Sequence, residues 1–214
     1  MSKSKFTVIK LDRSFLNEVS RCHISAFPKS FSSKLGLPYV KKMLEWYLVS
    51  DNRFLLGVEF KSQIIGYVGS ARGYGSTSAM MQYTFWHAII SVIKKPKLIF
   101  YLSSLSNVIL IFKNFARRIF RSKKNNDLIS TKINEESKAS IGLIVIGVDS
   151  NFQSQGIGSM LLEGHYNQCK SLKASLSHLS VKNINAKAIN TYKKNGWKII
   201  KKDKISTSMS IDIK

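Results

Sequence analysis

A glycine-containing turn between a strand and a helix is the clearest chemical feature of the sequence. The segment 148–162 is predicted to contain the end of a buried strand, a turn with Gly156 and Gly158, and the start of a helix. The first amides of a helix have no partner within it, and the helix dipole is positive there. Because neither glycine carries a side chain that would block a phosphate, these amides predict an anion site. The hydroxyls of Ser154 and Ser159 could add donors.

The turn does not match the two common phosphate motifs. A P-loop needs a Lys followed by Ser or Thr, and neither glycine of this turn precedes such a pair. A dinucleotide fingerprint needs a third glycine where Leu161 stands. The spacing Gln153-x-x-Gly156-x-Gly158 therefore points to a different pyrophosphate ligand, although strand–turn–glycine–helix segments also occur in purely structural settings.

A second candidate feature lies downstream, on a predicted helix. Asn185, Ala188 and Tyr192 are spaced i, i+3 and i+7, so they share one helix face. That face offers an amide, a small residue that permits close approach, and a phenol. It could border an extended ligand and place a proton donor at the reactive end. The structural alternative is that Tyr192 packs in the core with its hydroxyl capped.

Together the two segments resemble the acyl-CoA-binding and C-terminal motifs of the GNAT N-acetyltransferase superfamily. The resemblance covers about residues 141–200. It is carried by Gln153-x-x-Gly156-x-Gly158 and by Asn185-x-x-Ala188-x-x-x-Tyr192-x-x-x-Gly196-Trp197. A weaker resemblance links Ala26-Phe27-Pro28 and Leu35-Gly36 to GNAT proteins of bacterial surface-sugar biosynthesis.

The resemblance implies one GNAT-like domain over residues 1–214, of the α/β (α+β) class, with a mixed central sheet flanked by helices. It implies acetyl-CoA as co-substrate and transfer of acetyl to a primary amine of a small acceptor, such as an amino sugar or its nucleotide-linked form. The alternatives are a protein N-terminal or lysine acetyltransferase, and a non-catalytic acyl-CoA-fold module that binds membrane or nucleic acid.

It also implies roles for individual residues. The pantetheine arm would pair with backbone around Ile146 and Val148, and the Val148 N–H would hold the thioester oxygen. Asn185 and Ala188 would border the cofactor, and Tyr192 would stand near the sulfur as the catalytic proton donor. The pyrophosphate would be held by the amides of Gln153, Ser154, Gln155, Gly156, Ile157, Gly158 and Ser159.

The sequence departs from the family at the residue that would act as general base. Many members carry a Glu on the strand before the turn, whereas the strand predicted over 141–148 contains no acid, His or Cys. His178 and His23 are the candidates, and each also fits a structural role. Asp149 fits a turn-forming role. Gln153 stands at a position where Arg is common, which lowers the cationic character of the loop.

Strands and helices alternate along the chain, which indicates an α/β or α+β layer fold. Alternating or continuous apolar runs predict the strands, and Lys61-Ser62 predicts a hairpin turn. The predicted strands are 6–11, 53–60, 63–70, 141–148, 176–181, 197–200 and 206–213. The predicted helices follow the N-cap Asp12 up to Ala26-Phe27-Pro28, and then cover 37–49, 156 to about 170, and 185–195.

Charge is the unusual feature of the composition: 34 Lys and Arg face 12 Asp and Glu, for a net charge of +22. Such a field favours an anionic partner, such as nucleic acid, a lipid surface or a phosphorylated ligand. The alternative is lysine enrichment that reflects an AT-rich genome. The two cysteines, Cys22 and Cys169, are far apart, which excludes a disulfide scaffold and a cysteine-based zinc site and favours a reducing cytoplasm. We expect no metal cofactor, no leader peptide and a cytoplasmic location.

Residues from about 73 to 138 read as a basic, apolar insertion of helices with no counterpart in a minimal GNAT domain. No acidic residue occurs from Phe60 to Asn126. One hypothesis is an interfacial element at the inner face of an anionic membrane. The other is that these helices pack on the domain and cover the cleft or a dimer partner. Nucleic-acid binding ranks third, because no such motif is present.

Overall fold

The computed structural model describes residues 6–73, 76–95 and 139–214. The strands in these residues are β1 Thr7–Lys10, β2 Arg53–Phe60, β3 Gln63–Arg72, β4 Ser140–Val148, β5 Leu176–Lys182, β6 Lys198–Lys202 and β7 Ser206–Asp212. The α-helices are α1 Leu16–Ala26, α2 Phe31–Leu35, α3 Leu37–Glu45, α4 Ser76–Lys94, α5 Ile157–Ser171 and α6 Ala186–Lys194. Short 3-10 turns cover Arg13–Phe15, Trp46–Leu48 and Ser150–Phe152.

One mixed sheet with the order β1-β2-β3-β4-β5-β7-β6 organises the described residues. Every neighbouring pair is antiparallel except β4 and β5, which are parallel. The β2–β3 hairpin turns at Lys61 and Ser62, whose φ angles of 49° and 59° suit the twist of a two-residue hairpin. The mixed sheet flanked by helices confirms the predicted fold class.

Helices cover the sheet through two hydrophobic clusters. Helix α5 contributes Ile157, Leu161 and Leu162 to the first cluster, together with strand residues. Helices α1 and α3 contribute Val19, Leu44 and their neighbours to the second cluster. Buried apolar side chains therefore anchor α5, which follows the glycine turn, and also α1 and α3, which cover the opposite face of the sheet.

The parallel ladder between β4 and β5 is short, and the two strands then separate. The pairs are Ser140 with Leu176, Ile141 with Ser177 and Gly142 with His178. Just beyond them the register between β3 and β4 shifts at Ile144, because Gly69 pairs with Val145 and Ser70 with Leu143. A bulge of this kind bends its strand. Beyond Gly142 the two strands therefore leave a gap between them.

The structure corrects several predicted boundaries. Helix α3 ends at Glu45 and continues only as the 3-10 turn Trp46–Leu48, whereas a helix to Val49 was predicted. Helix α2 was missed, because five residues show no periodicity; Ser30 caps it by accepting from the Ser33 amide. The predicted N-cap Asp12 caps a 3-10 turn that precedes α1.

Of the predicted insertion 73–138, the structure describes α4; residues 74–75 and 96–138 lie outside the described residues. Among the residues that the structure does describe, no helix is both long enough and apolar enough to cross a membrane.

Close packing of α1 on β4 gives a testable stability effect. A Cβ at Gly147 would lie 2.7 Å from Phe27 Cε2 and 3.0 Å from Tyr67 Cε1. Gly147→Ala should therefore lower the free energy of unfolding by about 1–3 kcal/mol through overpacking, measured by urea unfolding. Gly158→Ala is the control, because its Cβ would meet only Thr191 Cγ2 at 3.9 Å. Equal stability of the two variants would contradict this packing.

Candidate active site

A cleft opens where β4 and β5 part. Its volume is about 520 Å³. Its walls are mostly aliphatic, which suits a narrow and largely apolar ligand arm. The lining residues are Phe27, Leu143, Ile144, Val145, Ile146, Leu179, Ser180, Val181, Lys182, Ile184, Asn185 and Tyr192. Three of the predicted site residues, Ile146, Asn185 and Tyr192, are thus brought together on one cavity.

The hydrogen bonds of β4 show which of its amides face the cleft. The Asp149 N–H donates to the Ile65 carbonyl of β3 at 2.8 Å. Successive amides of a strand point to opposite edges, so the N–H groups of Val148 and Ile146 point away from β3, towards β5. Among the described strands none pairs with β4 there, since the β4–β5 ladder ends at Gly142. The amides of Ile146 and Val148 therefore face the gap beside β4, and Ile146 itself lines the cleft.

The turn after β4 presents open amides. Within the described part of the chain, the amides of residues 153–158 donate to no other group. Ser154 and Gly156 have φ angles of 65° and 82°. Left-handed residues alternating with ordinary ones are typical of backbone anion nests. A Cβ at Gly156 would meet nothing within 4 Å, so the space beside the turn is open to a ligand.

Ser159 is an exception to the predicted set of loop donors. Its N–H donates to the Gly156 carbonyl at 2.9 Å, within the first turn of α5. Its Oγ accepts from Asn195 Nδ2 at 3.1 Å, which ties α5 to α6. The side chain of Ile157 is buried and anchors the helix, so this residue offers only its amide.

A lysine that the sequence reading missed supplies positive charge to the turn. Lys187 Nζ on α6 donates to Ser154 Oγ at 3.1 Å. Gln153, which stands where an Arg is common, instead donates from Nε2 to the Val148 carbonyl at 3.3 Å and holds the turn against the end of β4. Lys187 is the basic residue of the first turn of α6. The first turn of α6 faces the glycine turn because α6 packs beside α5, and the sequence alone does not show this packing.

Helix α6 uses two of its predicted site residues for structure. Asn185 is its N-cap, and Asn185 Oδ1 accepts from the Ala188 amide at 3.2 Å. That oxygen is therefore engaged, although the residue lines the cleft. Ala188 is half-buried against the hydrophobic core and is not among the residues that line the cleft. The predicted face of Asn185, Ala188 and Tyr192 is thus divided between the core and the cleft.

Tyr192 lies at the boundary of core and cleft. Its side chain is 6% exposed, and its ring packs 5.9 Å from the Trp197 ring. Burial raises the pKa of its phenol to about 12. Its ring belongs to the hydrophobic core, as the structural alternative expects, and within the described residues its hydroxyl has no hydrogen-bond partner. The phenol stays protonated at neutral pH and can donate into the cleft.

The two histidine candidates for the base occupy different surroundings. His23 is buried, which lowers its pKa to about 4. Its Nε2 lies 2.8 Å from Ser32 Oγ, and its Nδ1 is hydrogen-bonded to the Tyr67 hydroxyl. Its ring packs 5.1 Å from that of Phe27, which separates it from the cleft. Both ring nitrogens of His23 therefore form hydrogen bonds within the fold.

His178 lies at the closed end of the β4–β5 pair, opposite Gly142, and it does not line the cleft. Burial lowers its pKa. Asp149 keeps the predicted turn role, because its Oδ1 accepts from the Asn151 amide at 2.9 Å. None of these three residues presents a free basic atom to the cleft.

Comparison with known protein families matches residues 123–197 to the family described as "Acetyltransferase (GNAT) family". That span includes β4, the glycine turn, α5, β5 and α6, and therefore the candidate site residues from Ile146 to Tyr192. No curated protein sequence matches the chain significantly.

Solved structures share the fold over nearly the whole chain. An N-acetyltransferase from Staphylococcus aureus Mu50 has 12% sequence identity and a TM-score of 0.59, covering 99% of this chain and 100% of its own. PaiA N-acetyltransferase from Thermoplasma acidophilum, solved in complex with coenzyme A, has 13% identity, a TM-score of 0.58 and coverages of 97% and 98%. The ribosomal-protein-S18-alanine N-acetyltransferase from Escherichia coli has 14% identity, a TM-score of 0.53 and coverages of 97% and 94%.

Residues 123–197 are therefore similar to the GNAT acetyltransferase family, and the chain shares its fold with solved N-acetyltransferases.

The open glycine turn makes a binding prediction. Gly156→Val places a β-branched side chain at a φ of 82°, in space that no protein atom occupies. We expect coenzyme A binding, measured by calorimetry, to weaken at least tenfold, because the side chain distorts the amides and fills the anion position. Coenzyme A affinity in Gly156→Val equal to that of the natural chain would contradict the site.

The ammonium of Lys187, which lies at the glycine turn, gives a second binding prediction. Lys187→Met should weaken coenzyme A binding by about fivefold, because an exposed cation beside a phosphate contributes roughly 1 kcal/mol. The difference between this variant and the natural chain should shrink as salt is added. Lys194→Met, at the far end of α6, is the control and should bind normally. Equal losses for both lysines would indicate only a general effect of net charge.

Proposed function

We propose that the protein is an acetyl-CoA-dependent N-acetyltransferase that acts on a primary amine. The observation that carries the proposal is the cleft between β4 and β5, with inward-facing amides on one wall, an open-amide turn at the end of β4 and a protonated phenol on the other wall. The turn would receive the pyrophosphate of acetyl-CoA, and the cleft would receive its pantetheine arm.

The backbone of β4 would position the thioester. The N–H groups of Ile146 and Val148 would pair with the arm, and the Val148 N–H would receive the carbonyl oxygen. Negative charge develops on that oxygen when the amine attacks, and one fixed donor stabilises it by roughly 2–4 kcal/mol. Holding the amine and the thioester in one cleft supplies a further part of the rate.

Tyr192 would complete the proton balance. The amine nitrogen bonds to the carbonyl carbon, the C–S bond breaks, and the thiolate sulfur takes the phenolic proton. The nitrogen loses one proton as the amide forms, and this proton restores the phenol. A dedicated base on β4 is then not needed, provided that the amine reaches the cleft unprotonated. Because burial raises the pKa of Tyr192 to about 12, formation of its tyrosinate is unfavourable. The proton transfer from the phenol to the sulfur and the transfer from the nitrogen to the phenol must therefore be closely coupled.

The net charge of +22 favours an acceptor that carries phosphate, so we propose a nucleotide-linked amino sugar, or a free amino sugar, as the acceptor class. Because acetyl-CoA is an intracellular metabolite, the proposal implies a cytoplasmic enzyme. A panel of amines with mass-spectrometric detection tests the class. Acetylation of peptide N-termini or lysines instead would favour the protein acetyltransferase alternative, and no acetylation at all would favour a non-catalytic module.

Thiol release from acetyl-CoA with that panel tests the site. Tyr192→Phe should lower kcat by about a hundredfold, because the leaving thiolate loses its proton donor. Coenzyme A affinity should be unchanged, since the ring still packs on Trp197. Tyr166→Phe is the matched control, because its hydroxyl bonds to the backbone of Lys214, away from the cleft, and we expect normal turnover.

The pH dependence adds an independent readout. Activity should rise with pH as the acceptor amine loses its proton. It should show no descending limb from Tyr192 near neutrality, since the phenol deprotonates only around its raised pKa of about 12. Normal turnover in Tyr192→Phe would contradict the assigned role. A descending limb near pH 9 that this variant removes would keep the role but contradict the raised pKa of the phenol.

A further inference from the structure

Helix α4 packs one face on α3 and exposes several large apolar side chains on the other. On the inner face Thr84 and Ala88 are buried. The Tyr39 hydroxyl of α3 bonds to Thr84 Oγ1 at 3.3 Å, and the Tyr83 hydroxyl donates to Glu45 Oε2 at 3.1 Å. These contacts fix α4 against α3, so only its opposite face is available to a partner.

The outer face carries a stripe of large apolar side chains. Trp86, Ile90 and Ile93 are spaced i, i+4 and i+7, which places them on one side of the helix. They are 70%, 48% and 71% exposed. Large apolar side chains that cluster on an exposed surface commonly mark an interaction site. Within the described residues, the outer stripe of α4, defined by these three residues, is such a surface.

Positive charge accompanies this stripe. Lys94 ends α4 and Lys95 follows it, and both are exposed. Lys95 Nζ donates to the Lys34 carbonyl at 3.3 Å, which brings the chain around Lys34 to the same end of the helix. Helix α4 itself contains no acidic residue. The charge beside the stripe thus has one sign, in a chain whose net charge is +22.

The size and charge of the stripe favour one kind of partner. Three side chains of this size expose on the order of 400 Å², about half of what each partner contributes to a stable protein–protein interface. Insertion into a bilayer surface needs less area, because each nearby lysine adds electrostatic attraction to anionic lipid. Tryptophan with flanking lysines is the composition of such interfacial helices.

We propose that α4 docks this chain on an anionic lipid surface, with Trp86, Ile90 and Ile93 inserted among the headgroups and Lys94 and Lys95 beside the lipid phosphates. This interaction goes beyond acetyl transfer and does not depend on it. The helix lies in the plane of the surface, because its inner face remains packed on α3.

The three tryptophans of the chain make the docking measurable without mutation. Trp46 and Trp197 are 1% and 4% exposed, so Trp86 alone is open to the surroundings. Vesicles of phosphatidylcholine with an equal part of phosphatidylglycerol should shift the emission to shorter wavelength. Bilayer-embedded brominated lipid should quench it. Vesicles of phosphatidylcholine alone should do neither, and salt should weaken both effects.

Flotation of the full chain with the same vesicles tests the stripe by mutation. Trp86→Ser with Ile93→Ser should reduce vesicle binding at least tenfold. Ile200→Ser with Ile205→Ser is the matched control, because these isoleucines are 62% and 74% exposed on the opposite edge of the sheet, and we expect full binding. Unchanged melting temperatures would confirm that both variants fold.

Three outcomes would overturn the proposal. One is the absence of binding to the phosphatidylglycerol vesicles. Another is binding that both double variants retain equally, which would indicate a diffuse charge effect. The third is a concentration-dependent dimer, or binding to RNA, that Trp86→Ser with Ile93→Ser abolishes while vesicles are ignored. Each result is independent of coenzyme A binding and turnover, so failure of this docking leaves the proposed reaction to its own test.

Discussion

Two parallel strands that stop pairing after three residue pairs create the space on which the rest of the site depends. Every backbone donor in a sheet interior needs a partner, and no described strand supplies one to β4 on its β5 side beyond Gly142. The bulge at Ile144 bends the strand at that point. The cleft is therefore walled by a strand edge with unused hydrogen-bonding capacity, and an extended ligand can complete that edge as an additional strand would.

The same strand fixes the two ends of the cleft. At the far end, the Asp149 N–H is held by Ile65 on β3, so the chain leaves the sheet in a defined direction before the glycine turn. Gln153 holds the turn against β4, and buried Ile157 anchors α5 below it. The open amides thus lie at a set position relative to the cleft. Their preorganisation is what makes backbone dipoles effective towards a charged group.

The glycine turn and the phenol of Tyr192 lie in different electrostatic environments. The turn is exposed and gains the ammonium of Lys187, where water and ligand can exchange. Tyr192 lies in apolar surroundings that raise its pKa and keep it protonated. The histidines that could have served as bases are buried, and their pKa values are lowered. Burial therefore decides the protonation state of these side chains: it keeps the phenol of Tyr192 protonated and disfavours the charged form of the histidines.

The order of the strands and of the helices other than α2, and the glycine turn before α5, could be predicted from the sequence. Each is encoded by local periodicity or by short spacing, which short-range backbone and side-chain forces decide. The sequence could not show that Asn185 Oδ1 caps α6, that the Ser159 amide is satisfied, or that His23 is enclosed by Tyr67 and Ser32. Nor could it show that Lys187 reaches Ser154 across 33 positions. Such contacts depend on how separate elements pack, and packing sets burial, hydrogen-bond partners and pKa together.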